Sequence, residues 1–83
     1  MKKIKYFTAS WCGPCKSFKP TIQELINEGN DIEIIDIDED QKQSSEHEIQ
    51  SIPTLIFQED GKTYNRSSGV LQKSEILSLI SSN

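Results

Sequence analysis

The arrangement of apolar residues constrains the fold of this chain more than any other feature of its sequence. Residues 3–8 and 32–37 are two strand-like runs, the first partly alternating and the second rich in isoleucine. Between them, residues 14–28 carry apolar side chains at three- and four-residue steps and are followed by Gly29, a pattern typical of an amphipathic helix that ends at a glycine. A strand, a helix and a second strand in this order predict parallel pairing of the two strands.

The second half of the chain predicts a hairpin followed by a helix. Residues 54–58 and 62–67 flank a short turn that contains Asp60-Gly61, and Asp-Gly is a strong hairpin signal. Residues 72–81 carry isoleucine and leucine at helical spacing. We therefore expect two antiparallel strands and a last amphipathic helix.

Residues 41–50 predict a short surface helix, because the segment lacks glycine and proline although Ile49 is its only large apolar residue. The predicted order of elements is βαβαββα, which is an α/β fold. With 83 residues the chain is about half the usual length of a domain. We expect a single domain over residues 1–83, without an internal repeat.

The charge balance and the first residues exclude several classes of function. Nine Lys+Arg against thirteen Asp+Glu give a net charge of −4, and no basic cluster is longer than Lys2-Lys3. This composition disfavours nucleic acid and anionic membranes as partners. The apolar stretch near the N-terminus is too short for a signal-peptide core or a membrane span. We therefore expect a cytoplasmic protein.

The chain has two cysteines, Cys12 and Cys15, in a loop between the first strand and the first helix. Two cysteines cannot form the multi-bridge framework of a small secreted domain, and in a reducing compartment such a pair is more often catalytic or metal-binding. At the N-terminal edge of a helix, unpaired N–H groups favour a thiolate at Cys12. The sequence predicts that Cys12 attacks a target disulfide and Cys15 resolves the mixed disulfide, with Trp11 as a flat apolar contact.

Other interpretations of the ionisable residues are weaker. One CxxC supplies two zinc ligands, and although His47 and scattered acidic residues could complete a site, we expect no metal and no other cofactor. A purely structural disulfide that closes so short a loop would stabilise little. Asp36, Asp38 and Asp40 match the first ligands of a calcium loop, but Gln41 replaces the required glycine, so we expect a solvated acidic loop. We expect His47 to be exposed.

Several segments of the chain together resemble the thioredoxin family. The matching segments are Trp-Cys-Gly-Pro-Cys-Lys at 11–16, Pro20, Ile-Pro-Thr at 52–54, Asp-Gly-Lys at 60–62 and Gly69. The resemblance covers nearly the whole chain. It implies a thioredoxin-like fold, in which helices flank a four-stranded mixed sheet, and a thiol-disulfide oxidoreductase that reduces protein disulfides.

The resemblance also implies a substrate surface and partners. Pro53 would be cis and next to the cysteines, and the backbone of Ile52 would pair with an extended substrate segment as an added strand. The implied substrate-binding residues are Trp11, Gly13, Pro14, Ile52, Pro53 and Gly69. The implied partners are protein disulfides and an NADPH-dependent thioredoxin reductase, and the implied state is a monomer.

The sequence departs from the family's usual pattern in three places. Typical thioredoxins carry an extra strand and helix ahead of the first strand seen here, so the chain resembles a trimmed, glutaredoxin-sized protein of the kind that phages and some bacteria encode. The family's buried aspartate aligns with Tyr6, and its nearby lysine aligns with Ile34. We therefore hypothesise that deprotonation of Cys15 relies on water or on a substitute that the sequence does not identify.

Two alternative functions stay open at this point. The size suggests a glutaredoxin-like, glutathione-linked electron donor, although the Gly-Pro pair between the cysteines favours a thioredoxin. The flat surface around Trp11, Pro53 and Gly69 could instead belong to a redox-independent binding subunit of a larger assembly. Turnover with glutathione tests the first alternative, and partner binding after replacement of both cysteines tests the second.

Overall fold

A computed structural model describes residues 1–82 and confirms the predicted element order within them. The elements are β1 (Lys2–Thr8), α1 (Gly13–Asn27), β2 (Ile32–Asp36), α2 (Gln41–Glu46), β3 (Thr54–Glu59), β4 (Lys62–Ser68) and α3 (Lys73–Ser81). Asn83, the last residue of the predicted domain, lies outside the described residues.

The strands form one mixed sheet in the order β2-β1-β3-β4. As predicted, β1 and β2 are parallel, with Tyr6 beside Ile34 and Thr8 beside Asp36. The β1–β3 and β3–β4 pairs are antiparallel. This is the four-stranded mixed sheet that the resemblance implied, and β1, which carries the chain into the cysteine loop, lies in its interior.

One face of the sheet is covered by α1 and α3. Cys15, Phe18, Ile22 and Leu25 are the buried residues of α1, and their three- and four-residue spacing places them on one side of the helix. The rings of Phe18 and Tyr6 meet edge to face with their centroids 5.8 Å apart. The buried cluster on this face consists of Ile4, Tyr6, Phe18, Ile22, Leu25, Leu55, Phe57 and Ile76. This packing fixes the start of α1, and with it the cysteines, against β1.

The opposite face of the sheet carries a second, smaller apolar cluster. Phe7, Ile35 and Ile56 form its buried part. The ring of His47 packs against Phe7 with the two centroids 5.6 Å apart, and His47 is half-buried. The expectation of an exposed His47 was therefore wrong, because the end of α2 brings its ring onto the sheet.

The helix α2 is shorter than the predicted range 41–50. It ends at Glu46, and Glu48 has a φ of 52°, which no helix continues. Arg66 on β4 donates from its guanidinium to the backbone oxygens of His47 at 2.6 Å and Glu48 at 3.0 Å. These contacts satisfy carbonyl groups at the end of the helix, and they come from a strand far along the chain.

The turn between β3 and β4 follows the predicted pattern. Asp60 and Gly61 both have positive φ, 52° and 83°, as a two-residue hairpin turn of the primed type requires. The N-terminal ammonium of Met1 lies against the carboxylate of Asp60. The Asp-Gly signal therefore predicted the position of this turn.

The packing of His47 predicts a pH dependence of stability. Burial lowers the pKa of His47 below its ordinary value, and the nearby Lys5 and Arg66 act in the same direction against Glu46. The unfolded chain therefore binds more protons than the folded chain as the pH falls below about 6.5. We expect stability to be retained above that pH and lost below it.

The measurement is the midpoint of urea unfolding at pH 7.5 and at pH 5.5, for the parent chain and for His47→Gln. We expect the parent to lose more stability than the variant over this interval. An equal loss of stability between the two pH values in both proteins would contradict a lowered pKa at His47. The interval lies above the range in which carboxylates ordinarily titrate, so the comparison isolates the histidine.

Membrane spanning is not supported by the described helices. None of the helices in residues 1–82 is long and apolar enough to cross a bilayer.

Candidate active site

The two cysteines lie at the junction between β1 and α1. They are bonded to each other as a disulfide, with their Cα atoms 5.3 Å apart. Cys12 is 4% exposed and Cys15 is 3% exposed, and both pack with Ala9. The structure thus brings together the two residues on which the predicted chemistry depends.

Cys12 is the N-cap of α1, as the sequence predicted. Its Sγ accepts a hydrogen bond from the backbone N–H of Cys15 at 3.2 Å. Gly13 and Pro14 form the first turn of the helix, where the missing N–H of proline leaves no intrahelical bond unmade. A donor aimed at the sulfur and the positive end of the helix dipole both stabilise a thiolate at Cys12 relative to the thiol.

Trp11 stands beside the cysteines with 64% of its surface exposed. Its indole Nε1 donates a hydrogen bond to Oδ2 of Asp38 at 2.8 Å. The large apolar ring is therefore presented to solvent while its polar edge is held by a carboxylate from the loop after β2. An exposed, oriented aromatic ring is a common anchor for a protein partner.

The predicted substrate residues of the Ile52-Pro53 segment also lie at this site. The Ile52-Pro53 peptide bond is cis, as the resemblance implied. Ile52 packs against the cluster that contains both cysteines. Gly69 has a φ of 90°, and its N–H donates to the carbonyl oxygen of Pro53 at 2.8 Å, so the two predicted segments are joined by their backbones. A side chain at position 69 would be strained at that φ.

An apolar pocket of about 310 Å³ adjoins Trp11. It is lined by Trp11, Ile37, Ile49, Gln50, Ser51 and Ile52. The sequence analysis did not assign Ile37 and Ile49 to the site, because Ile37 ends a strand-like apolar run and Ile49 is an isolated apolar residue in a polar segment. Only the fold places them beside the tryptophan. The pocket can accept an apolar side chain of a bound protein.

A metal centre finds no support in residues 1–82. No group of three or more His, Cys, Asp or Glu side chains in this part of the chain could hold a metal ion. The three acidic residues of the expected solvated loop have structural contacts instead. Asp36 Oδ1 accepts from the N–H of Asp38 at 2.8 Å, and Asp40 Oδ1 accepts from the N–H of Gln43 at 3.1 Å as the N-cap of α2.

Comparison with known proteins assigns the chain to a family. A family model described as Thioredoxin matches residues 2–82. The chain belongs to the thioredoxin family. One relative, the thioredoxin of Mycoplasmoides gallisepticum, is 41% identical over 81 residues, covering 95% of this chain and 81% of the relative. The thioredoxin of Chlamydia trachomatis serovar D is 40% identical over 77 residues, covering 90% of this chain and 76% of the relative.

Solved thioredoxin structures have the same fold. A mutant thioredoxin from Halobacterium salinarum NRC-1 matches with a TM-score of 0.90 and 29% identity, covering 98% of this chain and 73% of that chain. A malaria parasite thioredoxin-2, described as a component of protein secretion machinery, matches in fold with a TM-score of 0.92 and 19% identity, covering 100% and 84%. Thioredoxin membership and the bonded cysteine pair make this chain a thiol-disulfide oxidoreductase that acts on protein disulfides.

Tyr6 occupies the position where thioredoxins were expected to carry a buried aspartate. Its side chain is buried, and its hydroxyl donates to the backbone oxygen of Cys15 at 3.4 Å. Burial raises the pKa of Tyr6, against a smaller effect of a hydrogen bond with Thr8. The phenol is therefore neutral at neutral pH and supplies no base. Ile34, at the expected lysine position, is 53% exposed on the edge strand β2.

The sequence analysis did not assign Asp38 to the site, although its carboxylate accepts the hydrogen bond of Trp11. Removal of this carboxylate is expected to affect the tryptophan ring and substrate binding. Asp38→Ala removes the acceptor that holds the indole of Trp11, so the ring should become more mobile. The chain has one tryptophan, so its fluorescence anisotropy reports this ring alone. We expect the anisotropy to fall and the KM for a protein disulfide to rise about fivefold, the equivalent of one net hydrogen bond.

The control for this prediction is Glu39→Ala, which removes a neighbouring exposed carboxylate. We expect this variant to retain the anisotropy and the KM of the parent chain. An unchanged anisotropy in Asp38→Ala would show that the hydrogen bond does not restrain the ring.

Proposed function

We propose that this chain is a reductant of protein disulfides in which Cys12 is the attacking thiol and Cys15 the resolving thiol. The observation that carries the proposal is the capping geometry of Cys12, whose sulfur receives the N–H of Cys15 at the start of α1. The same hydrogen bond in the reduced protein would favour the thiolate at Cys12 over the thiol. Cys15 lies one helical turn further in, within bonding distance of Cys12.

The proposed cycle has two exchange steps. The Cys12 thiolate attacks one sulfur of the target disulfide, which forms a mixed disulfide and releases the other target sulfur as a thiolate. The Cys15 thiolate then attacks the Cys12 sulfur, and the second target sulfur leaves. The target gains two electrons, and the chain loses two as the Cys12–Cys15 disulfide forms.

The proposed docking surface surrounds the cysteines. Trp11 and the apolar pocket beside it support recognition of an apolar side chain of the target. No hydrogen bond between described residues uses the backbone of Ile52, which supports its pairing with an extended target segment. The residues assigned to this surface are Trp11, Gly13, Pro14, Ile52, Pro53 and Gly69.

We propose that an NADPH-dependent thioredoxin reductase reduces the pair again, and that the chain acts as a cytoplasmic monomer. The similarity to bacterial thioredoxins supports the reductase as the partner. The net charge of −4 supports proteins rather than nucleic acid as the partners.

The test follows NADPH oxidation with the purified chain, a disulfide-bonded protein substrate and either thioredoxin reductase or glutathione with glutathione reductase. Turnover that requires both the chain and thioredoxin reductase supports the proposal. Turnover with glutathione alone would transfer the chain to the glutaredoxin-like function. Absence of turnover in both systems would contradict a recycled reductant.

A further inference from the structure

A solvent-accessible cleft of about 360 Å³ opens beside the second cysteine, between α1 and the strands β1 and β2. The cleft has room for several water molecules, since each occupies about 30 Å³ in the liquid. Its ionisable lining residues are Tyr6, Cys15, Lys16, Lys19 and Asp36, and Thr8, Ser10 and Gln23 add uncharged polar groups. The cleft therefore joins the resolving cysteine to a carboxylate on the neighbouring strand.

Asp36 is held in a fixed orientation at the end of β2. It pairs with Thr8 in the parallel register, and since side chains alternate along a strand, it lies on the same sheet face as Tyr6 and Ile34. Its Oδ1 accepts the backbone N–H groups of Asp38 at 2.8 Å and Glu39 at 3.3 Å. No donor within residues 1–82 binds Oδ2, so one carboxylate oxygen is free to accept a proton.

The resolution step requires such an acceptor. Cys15 attacks as a thiolate, yet as a thiol it ordinarily ionises near pH 8.5 and Cys15 is buried. The N–H that stabilises a thiolate is directed at Cys12 and not at Cys15. Among the other ionisable groups of the cleft, Tyr6 is a neutral phenol, and the ammonium groups of Lys16 and Lys19 are donors with no lone pair to accept a proton.

We propose that Asp36 accepts the proton of Cys15, through water in this cleft, when Cys15 releases the reduced target. The inference rests on the dithiol exchange of the proposed function. It assigns the substitute base that the sequence did not identify. Asp36 is assigned this role because it lines the cleft beside Cys15 and is held there by two backbone N–H groups.

The proposed step balances in protons and electrons. The Cys15 thiol gives its proton to a cleft water as that water gives one to Asp36. The thiolate forms the Cys12–Cys15 bond as the bond between Cys12 and the target sulfur breaks. The target leaves as a thiolate that takes a proton from solvent, and Asp36 returns its proton to solvent. The cysteine pair is oxidised and the target is reduced.

Simple electrostatics predicts the opposite effect of removing this carboxylate. Asp36 is negative, so a purely Coulombic influence would disfavour the Cys15 thiolate, and its neutralisation would speed the attack. The other charged groups near the cleft are the same whether or not Asp36 carries its charge. They are Lys16 and Lys19 on α1, and Asp38 and Glu39 in the loop after Asp36. A proton acceptor predicts that neutralisation slows the attack. The sign of the effect therefore separates the two explanations.

The experiment mixes excess reduced protein with a symmetrical nitrobenzoate disulfide in a stopped-flow instrument. Each released aromatic thiolate absorbs visible light, so the first phase reports attack by Cys12 and the second reports attack by Cys15. For Asp36→Asn we expect a first phase within twofold of the parent. The second phase should be about tenfold slower at pH 6.5, and the difference should vanish above pH ~8.5, where a thiol ionises unaided.

Three controls separate proton transfer from structural damage. The amide that replaces the carboxylate in Asp36→Asn retains a side-chain oxygen for the turn, so equal unfolding midpoints should accompany the slow phase, and added acetate should restore part of the rate. Asp31→Asn removes the same charge at the other end of β2 and should leave both phases unchanged. A second phase in Asp36→Asn that equals or exceeds the parent rate, or that is slowed equally at every pH, overturns the inference.

The same stopped-flow experiment distinguishes failure of the proposed function from failure of the role of Asp36. If Cys12 does not exchange with disulfides, the first phase is absent in every variant, the parent included. If only the role of Asp36 is wrong, the parent and Asp36→Asn both show two phases with the same pH dependence.

Discussion

Cys12→Ser is expected to reduce protein-disulfide turnover to the background rate, a loss of at least about a thousandfold, because it removes the group that we propose attacks the target. The serine hydroxyl can still cap α1, so the fold should be retained. The measurement is the steady-state reduction of a protein disulfide by the parent and by the variant. Far-UV circular dichroism of both proteins checks that the helix and the sheet are intact.

The matched variant is Cys15→Ser, which removes the proposed resolving thiol and leaves the proposed attacking thiol in place. This variant should lose turnover but accumulate a mixed disulfide with the target, visible as a mass increase that dithiothreitol reverses. Cys12→Ser should form far less of this adduct. If Cys12→Ser traps the target and Cys15→Ser does not, the two roles are reversed.

Phe57→Ala is expected to have the largest effect on stability. Phe57 lies on the central strand β3, is 0% exposed and packs in the cluster beneath α1 and α3, with its ring 6.4 Å from that of Tyr64. Truncation of a buried phenylalanine costs about 3–5 kcal/mol. A chain of 83 residues has a total unfolding free energy of about 4–12 kcal/mol. The variant should therefore lose at least about a quarter of its unfolding free energy, and all of it if the parent lies at the low end of this range.

Urea unfolding followed by circular dichroism measures this effect in the oxidised protein. Phe57→Leu keeps most of the volume and should cost about 1 kcal/mol, which keeps the test informative if the alanine variant does not fold. Val70→Ala, at a residue that is 50% exposed, should change stability by less than about 0.5 kcal/mol. A loss in Phe57→Ala no larger than in Val70→Ala would contradict the described core.

The sequence was a good guide to the fold where local patterns decide the structure. The spacing of apolar residues predicted α1 to within a residue at each end, and Asp60-Gly61 predicted the hairpin turn. The segment 41–50 was predicted less well, because the end of α2 depends on Arg66, a residue distant in sequence. The position of His47 on Phe7 also depends on packing between distant segments.

The same distinction applies to the site. Cys12 at the helix N-terminus follows from a local pattern, so the sequence predicted it. The hydrogen bond from Trp11 to Asp38 joins residues 27 positions apart, and the cleft joins Cys15 to Asp36 across two strands and a helix. No local pattern distinguishes these aspartates from the other acidic residues of segment 36–40. The parallel register of β1 and β2 places Asp36 beside Thr8, and the loop after β2 brings Asp38 to Trp11.

The most direct test of the central claim counts thiols after a single turnover. Reduced protein is mixed with an equimolar disulfide-bonded protein, quenched with acid, alkylated and weighed by mass spectrometry. Reductase activity at Cys12 and Cys15 predicts that this chain loses two alkylatable thiols while the target gains two, one for one, with the new disulfide mapped to that pair. Two results would contradict the claim. In the first, the target becomes reduced while Cys12 and Cys15 both remain alkylatable. In the second, the two cysteines remain reduced and the disulfide of the target remains intact.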